Sequence, residues 1–313
     1  MAKVLVTGGA GFMGSHLVRR LLREGYDVVC FDNFSSGRLE NIEELLSLPN
    51  FKLVRGDLRE HKDITNAIKG CSTVFHLAAN PEVRIGDPRE HFDNNLLASF
   101  NLLEAMRRHD VGTIVFASSS TVYGDASILP TPEDYTPLEP ISTYGASKLG
   151  VEALISAYSH TYGIRGIILR YANVVGPRIS RGVVYDFVQK LRRNPKVLEV
   201  LGDGLQKKSY IWIEDAIDAT MIAWLCSKGI YAVYNVGSED AIEVQRIAEI
   251  VIEEMGLRDV NIYYTGGVDG GRGWKGDVKF MHLDVSRLKA LGWAPKFKSE
   301  DAIRMTIRWL INS

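Results

Sequence analysis

Along the first 170 residues, short apolar β-branched runs alternate with longer stretches whose apolar positions recur every three or four residues. Runs at 3–7, 28–32, 52–55, 73–76, 113–117 and 166–170 predict buried strands. The stretches 12–24, 41–48, 63–69, 92–108 and 144–162 carry helical spacing and predict helices between them. Strand and helix in this rhythm imply parallel strands joined by right-handed crossovers, with helices on both faces. The strands are apolar almost throughout, as expected for a sheet covered on both sides. The predicted fold class is therefore α/β, a doubly wound parallel sheet. After residue 172 the rhythm loosens, and Gly and Pro recur at Gly176-Pro177, Asn194-Pro195 and Gly202-Asp203-Gly204, with a Gly-rich run from Gly266 to Asp277. A smaller α/β unit over 173–313 is expected, with a segment near 211–240 returning to the sheet through a helix at 215–226 and a strand at 232–236. A last helix at 299–311 places Ile303, Ile307, Leu310 and Ile311 on one side.

Composition narrows the function classes. The 313 residues are 46% hydrophobic and 24% charged, ordinary values for a globular enzyme. Thirty-seven Lys+Arg against thirty-eight Asp+Glu give a formal charge of −1, which argues against a nucleic-acid partner. No apolar run reaches the ~18 residues needed to span a bilayer, and the opening MAKVLVTGG reads as a first strand, not a signal peptide; a cytoplasmic protein with no membrane partner is expected. Cys30, Cys71 and Cys226 are odd in number and lack metal-type spacing, so neither a disulfide framework nor a metal site is expected, and Cys30 and Cys71 are assigned to the core.

Between the first strand and first helix stands Thr7-Gly8-Gly9-Ala10-Gly11-Phe12-Met13-Gly14. Gly9, Gly11 and Gly14 satisfy G-x-G-x-x-G; Gly8, Gly11 and Gly14 satisfy the wider G-x-x-G-x-x-G. A side chain at this turn would keep a pyrophosphate from the helix N-terminus, where the free N–H groups around Phe12 and Met13 and the helix dipole hold it. Eighteen residues after Gly14, Asp32 ends the second strand, where a carboxylate accepts bonds from the adenosine ribose and repels a 2′-phosphate. The cofactor is thus expected to be NAD, bound by the 1–172 unit. Asn33, Ser36 and Gly37 follow on the same loop, with Ser36 and Gly37 closing over the ribose. In Gly56-Asp57-Leu58, Asp57 suits either the adenine amino group or a helix N-cap.

Tyr144-Gly145-Ala146-Ser147-Lys148 puts a phenol and an ammonium four residues apart at the start of a long helix, hence on one face. Bringing a free Tyr from near 10 to ionise near neutrality needs about three units, or ~4 kcal/mol, which a neighbouring ammonium can help supply. Ser118-Ser119-Ser120-Thr121-Val122-Tyr123-Gly124 ends the fifth strand, over the crevice where open α/β sheets bind ligands.

TGGAGFMG, DNFSSG, GDL, HLAA, SSSTVYG, YGASK and RYANVVGPR, in this order, resemble the extended short-chain dehydrogenase/reductase family, whose dinucleotide-binding domain is a Rossmann fold; GDGLQKKSYIWIEDAIDA and LGWAP extend the likeness over nearly the whole chain. Within that family the sequence is most similar to the UDP-galactose 4-epimerases and neighbouring nucleotide-sugar epimerases. The resemblance implies Tyr144 as base, Lys148 as ribose ligand and modifier of the phenol, and Ser119 as hydrogen-bond partner of the reacting hydroxyl, with Ser120 beside the substrate. It implies that Leu77, Ala78 and Ala79 pass beneath the cofactor, as does Leu58 next to Asp57. Tyr171 then borders the cofactor, and Asn173 borders the sugar or phosphate oxygens. Asn95 matches a family Asn near the ligands or is a satisfied helix residue; His76 reads as strand-end packing. Two departures stand out. Lys208 replaces the usual Arg in GDGLQKKSY, and the C-terminal Arg-x-Gly-Asp-type motif reads Arg272-Gly273-Trp274-Lys275-Gly276-Asp277. Arg272 or Lys275 is then expected on the phosphates and Asp277 on the base or ribose.

The activity so implied is an isomerase reaction, NAD-dependent 4-epimerisation of UDP-glucose and UDP-galactose through a transient 4-keto sugar, in a homodimer joined through 92–108 and 144–162. The alternatives are epimerisation of UDP-glucuronate or a UDP-N-acetylhexosamine, 4,6-dehydration, or a dinucleotide-binding sensor without chemistry.

Overall fold

In a computed structural model, which describes residues 2–84 and 87–313, seven parallel strands form one sheet. In chain order these are β1 (Lys3–Thr7), β2 (Asp27–Asp32), β3 (Phe51–Arg55), β4 (Thr73–His76), β5 (Thr113–Ser119) and β6 (Arg165–Tyr171), followed, after the short strands β7 (Asn173–Val175), β8 (Val197–Val200), β9 (Lys207–Lys208) and β10 (Tyr210–Trp212), by β11 (Tyr231–Val236). Their spatial order is β11-β6-β5-β4-β1-β2-β3. The order reverses between β1 and β4, and a crevice at the strands' carboxyl ends opens at that switch point.

Successive side chains of each strand enter opposite cores. Val4 and Val6 of β1 face Leu17, Val18 and Leu21 of α1 (Phe12–Arg23), while Leu5 faces the other layer. That second layer holds α2 (His61–Ile68), the short α3 (Pro88–His91), α4 (Ala98–Arg108) and α5 (Thr143–Tyr162). A third core gathers α6 (Val183–Arg193), α8 (Val244–Glu254) and α10 (Ser299–Asn312), whereas α7 (Ile213–Cys226) and the short α9 (Ser286–Lys289) pack in the core on the α1 side of the sheet. The short strands of this half, including β12 (Ile242–Glu243), β13 (Asn261–Tyr264) and β14 (Phe280–Met281), pair among themselves. The segment expected to return does so: α7 packs beside α1, and β11 pairs with β6.

Three expectations need correction. Residues 41–48 form two 3₁₀ turns, Leu39–Asn41 and Glu43–Leu45, because only Ile42 and Leu45 reach the core, an i, i+3 spacing, and Pro49 stops a longer helix. The helix expected at 92–108 starts earlier and contains a π-helical turn at Phe92–Leu97, which turns Asn95 inward. Ile311 faces outward. Among the described residues no helix is long and apolar enough to cross a membrane. Cys30 and Cys71 are buried in the two sheet cores, and Cys226 is exposed.

Candidate active site

The crevice encloses about 1360 Å³ and runs from the glycine loop, past Tyr144, to the third core. At its first end α1 starts after Gly11 with no side chain capping it, so its first N–H groups are free for an anion. Gly8 lies at φ +69°, and a Cβ there would come within 2.8 Å of the Ala78 nitrogen. A Cβ on Gly14 would sit 2.0 Å from the Gly8 carbonyl oxygen. The loop thus has the shape of a cradle that side chains would fill.

Asp32 is buried, and its carboxylate accepts the N–H groups of Ala10 at 2.9 Å and Phe34 at 2.8 Å. These bonds fix the second strand's end against the glycine loop, while burial pushes the carboxyl upward. A Cβ on Gly37 would approach this carboxylate to 2.8 Å, so the loop carrying Asn33, Ser36 and Gly37 closes directly on it. All four residues border the crevice, as do Asp57, Leu58, Leu77, Ala78 and Ala79. Asp57 is not the α2 cap, which is Glu60. It pairs with Arg59 at 2.7 Å, and that hydrogen-bonded guanidinium draws its carboxyl down to about 2. The chain therefore presents free N–H groups, a glycine cradle and a buried carboxylate bordering the crevice, a set that fits a dinucleotide.

Above the middle of the sheet, the Ser142 hydroxyl accepts the Gly145 N–H at 3.0 Å and starts α5, placing Tyr144 in the first turn and Lys148 one turn later. Lys148 is buried; its Nζ donates to the Ala117 carbonyl at 2.8 Å and lies 4.8 Å from the Phe116 ring centre and 5.7 Å from that of Tyr144. Burial pushes the phenol up to about 12, against the pull of Ser119 and of the Arg181 charge. The same burial pushes the lysine down to about 7, against Glu152. Ser119 Oγ accepts both the Thr121 N–H at 3.2 Å and the Thr121 hydroxyl at 3.0 Å, which leaves its own proton to donate. Ser120 and Thr121 border the crevice. Ser118 also borders it, with its hydroxyl donating to Glu152, whereas Ser119 is not part of the lining.

Several residues turn away from the ligands. His76 bonds Thr7 Oγ1 at 2.7 Å and Ser99 Oγ at 2.8 Å, and burial draws it down to about 3; it is a packing residue. Asn95 clasps the backbone of Asn80 and the hydroxyl of Ser147, tying the loop after β4 to α5. Tyr171 borders the crevice, but its hydroxyl is bonded to Thr220 at 2.6 Å. In the far half, Asn173 and Lys208 face the crevice. Lys208 Nζ meets Asp277 at 2.5 Å and lies 5.5 Å from the Trp274 ring. Arg272 does not reach the crevice: its guanidinium is held bidentately by Asp125, 2.9 Å on each side, and by the Asp277 carbonyl. Lys275 is exposed and does not border the crevice either. Asp277 borders it, but with its carboxylate on Lys208 and the Gly273 N–H.

The model of the NAD dependent epimerase/dehydratase family matches residues 4–237, about three quarters of the chain. The chain belongs to that family. A solved UDP-galactose 4-epimerase shares 46% identity, with 99% of each chain covered and a TM-score of 0.89. The UDP-glucose 4-epimerase of Thermotoga maritima, solved with UDP-glucose, shares 31% over 99% of each chain, again with a TM-score of 0.89. The UDP-glucuronate 4-epimerase of Thermodesulfobacterium geofontis is 31% identical over 99% of this chain and 96% of its own. The fold and the NAD dependence are those of the nucleotide-sugar epimerases and dehydratases.

Arg84 and Arg181, which no motif singled out, both border the crevice. Arg84 pairs with Asp186 at 3.3 Å and lies 5.8 Å from the Trp274 ring. Arg181 has no ion-pair partner among the described residues. Both sit on loops whose path no periodicity encodes.

Proposed function

We propose that this enzyme is a UDP-hexose 4-epimerase that interconverts UDP-glucose and UDP-galactose. The observation that carries the reading is the Ser119 hydroxyl beside the Tyr144 phenol at the carboxyl edge of β5, with the Lys148 ammonium 5.7 Å from the phenol ring and with Ser120 and Thr121 as the next two residues. Tyr144 takes the proton of the sugar's 4-hydroxyl, Ser119 donates to the same oxygen, and Lys148 favours the phenolate by its charge. The glycine cradle and Asp32 would hold NAD, which would supply the hydride acceptor and donor for C4. A dehydratase needs further groups to remove the C5 proton and protonate the 6-hydroxyl, and neither Ser120 nor Thr121 serves as a carboxylate would. Return of the hydride to the other face of the 4-keto sugar is then the open route. Lys208 and Asn173 are the groups we assign to the nucleotide-sugar, and the length of the crevice gives the sugar room to turn while its nucleotide end stays held.

A second reading is favoured by Arg181. A guanidinium near Tyr144 with no ion-pair partner among the described residues suits a carboxylate at the sugar's C6, as in UDP-glucuronate. The homodimer belongs to the same proposal, supported by exposed Phe92 and Phe100 beside an apolar hollow lined by Leu96, Leu97, Gly150 and Leu154. The test is to incubate the protein with UDP-glucose, UDP-glucuronate, UDP-N-acetylglucosamine and dTDP-glucose and identify products by mass and NMR. A C4 epimer of unchanged mass is expected, fastest from UDP-glucose. A product lighter by one water (about 18 Da) refutes the epimerase, and turnover of UDP-glucuronate alone selects the second reading.

A further inference from the structure

Beneath the reacting end of β5 lies an ion pair that the chemistry described above does not use. Glu152 and Arg170 are 3% and 5% exposed at their side chains and meet at 2.7 Å. A buried pair of this kind seldom stabilises a fold more than apolar side chains of the same volume, because both charges lose their water. Its place in the architecture suggests another use.

Glu152 stands one helical turn after Lys148, which itself stands one turn after Tyr144, so all three share a face of α5. Ser118 of β5 and Arg170 of β6 are paired neighbours in the sheet, and Glu152 takes both: the Ser118 hydroxyl at 2.5 Å and the Arg170 Nε at 3.0 Å. One residue before Ser118, the Ala117 carbonyl accepts Lys148; one residue after it stands Ser119. Two clips one turn apart, Lys148 to Ala117 and Glu152 to Ser118, therefore fasten α5 to the strand end that carries Ser119.

The charges around the two groups point the same way. Lys148 is faced by Glu152 on its own helix, His76 of β4, held neutral by burial, and the Phe116 ring and Ala117 carbonyl of β5. Glu152 is faced by Arg170 of β6, Ser118 of β5 and Tyr231 of β11, while Arg170 reaches on to the Tyr123 hydroxyl and the Glu133 carbonyl. Among the described residues that face Lys148, which include the Tyr144 ring at 5.7 Å, Glu152 is the carboxylate.

We propose that Glu152, held by Arg170, is a positioning residue of this active site: it fixes the strand end bearing Ser119 against α5 and supplies the negative charge that faces Lys148. The proposal rests on the assignment of Ser119, Tyr144 and Lys148 as the reacting groups.

Because Glu152→Gln alone leaves the Arg170 charge buried and unpaired, the test uses Glu152→Gln with Arg170→Met, and Glu152→Asp as the conservative variant, in the NAD-loaded protein. Two readouts are taken: the titration of Lys148 followed by NMR of ¹³C-lysine-labelled protein, and kcat and KM for UDP-galactose across pH. In the folded double variant we expect the Lys148 midpoint to fall by about one pH unit, and kcat at pH 8 to fall at least tenfold while KM changes less than about threefold. Glu152→Asp should recover most of both. A double variant that melts like the parent, keeps the parental Lys148 midpoint and keeps its kcat overturns the proposal. A parent protein that turns over no sugar nucleotide, yet shows the Lys148 shift in the variant, overturns the assignment of the reacting groups and leaves the charge coupling standing.

Discussion

Replacing Gly14 by alanine puts a methyl group where no space exists. The added Cβ would lie 2.0 Å from the Gly8 carbonyl oxygen and 2.8 Å from both the Gly8 carbonyl carbon and the Gly9 Cα. Ordinary contact begins at 3.4 Å, so the glycine loop and α1 must separate by roughly 1.4 Å. The atoms in the way are backbone, which cannot rotate aside, and overpacking of this kind costs about 3 kcal/mol. With an unfolding entropy of ~2.1 cal/mol/K per residue, a chain of this length loses about 5 °C in Tm. The same displacement carries the N–H groups at the start of α1 beyond hydrogen-bond reach of a pyrophosphate. Losing two charge-assisted bonds at ~1.5 kcal/mol each weakens NAD about a hundredfold. Gly11 is the control for stability, since its Cβ would approach only the Gly8 oxygen, at 3.1 Å; Gly11→Ala should shift Tm by about 1 °C or less. Calorimetry of the cofactor-stripped proteins measures the first effect, and NAD titration of Gly14→Ala measures the second. A Gly14→Ala protein with parental Tm and NAD affinity, or one more stable than Gly11→Ala, refutes the packing argument.

Tyr144→Phe should lower kcat at least about a hundredfold while NAD still binds, as followed by steady-state rates and cofactor titration. Lys208→Ala should raise KM for the sugar nucleotide about tenfold, whereas Arg272→Ala should leave it within about twofold, since Arg272 is engaged by Asp125 away from the crevice; equal effects in the two variants would contradict that placement. His76, drawn down to about 3 by burial and by the Lys148 charge, stays neutral in the folded chain, while in the unfolded chain it gains a proton below about 6.5. Its contribution to stability is therefore lost as pH falls through 6.5 towards 3, by about 2 kcal/mol at pH 5. Thermal melts should show that slope, flattened in His76→Gln.

The parts of the sequence that could be read were those with one dominant signal. The strands β1, β2, β4, β5 and β6 were legible as apolar runs because both of their faces are largely buried, and the edge strand β3 through Phe51, Leu53 and Val54 alone. The Ser119, Tyr144 and Lys148 set was legible because helical spacing puts the last two on one face and the strand end brings the first beside them. The stretch 41–48 misled because Ile42 and Leu45 suit a 3₁₀ turn as well as a helix, and only Pro49 decided between them. Helices α6 and α8 went unrecognised although Val184, Phe187, Val188 and Leu191 hold helical spacing, as do Val244, Ile247, Ala248 and Val251; surrounding Gly and Pro drew attention to loops instead. Arg272 could not be placed from sequence because its partner, Asp125, is 147 residues away. No local pattern encodes such a pair.

The return of α7 and β11 to the sheet gives the molecule a mechanical property. The backbone passes between the sheet and the third core after β6, at the start of α7 and after β11, and the β7–β10 pair lies directly on two of those passages. A hinge with one strand of chain can swing, but three anchored passages resist rotation, as three bolts do. On the proposed epimerisation, a crevice braced in this way favours a sugar that turns within it over two halves that swing apart. An oxidised sugar released part-way through would leave the enzyme with its hydride stranded, so in a rigid enclosure the grip on the nucleotide end sets how many turnovers occur between such failures. Strengthening that grip should lengthen the enzyme's working life even where it slows product release.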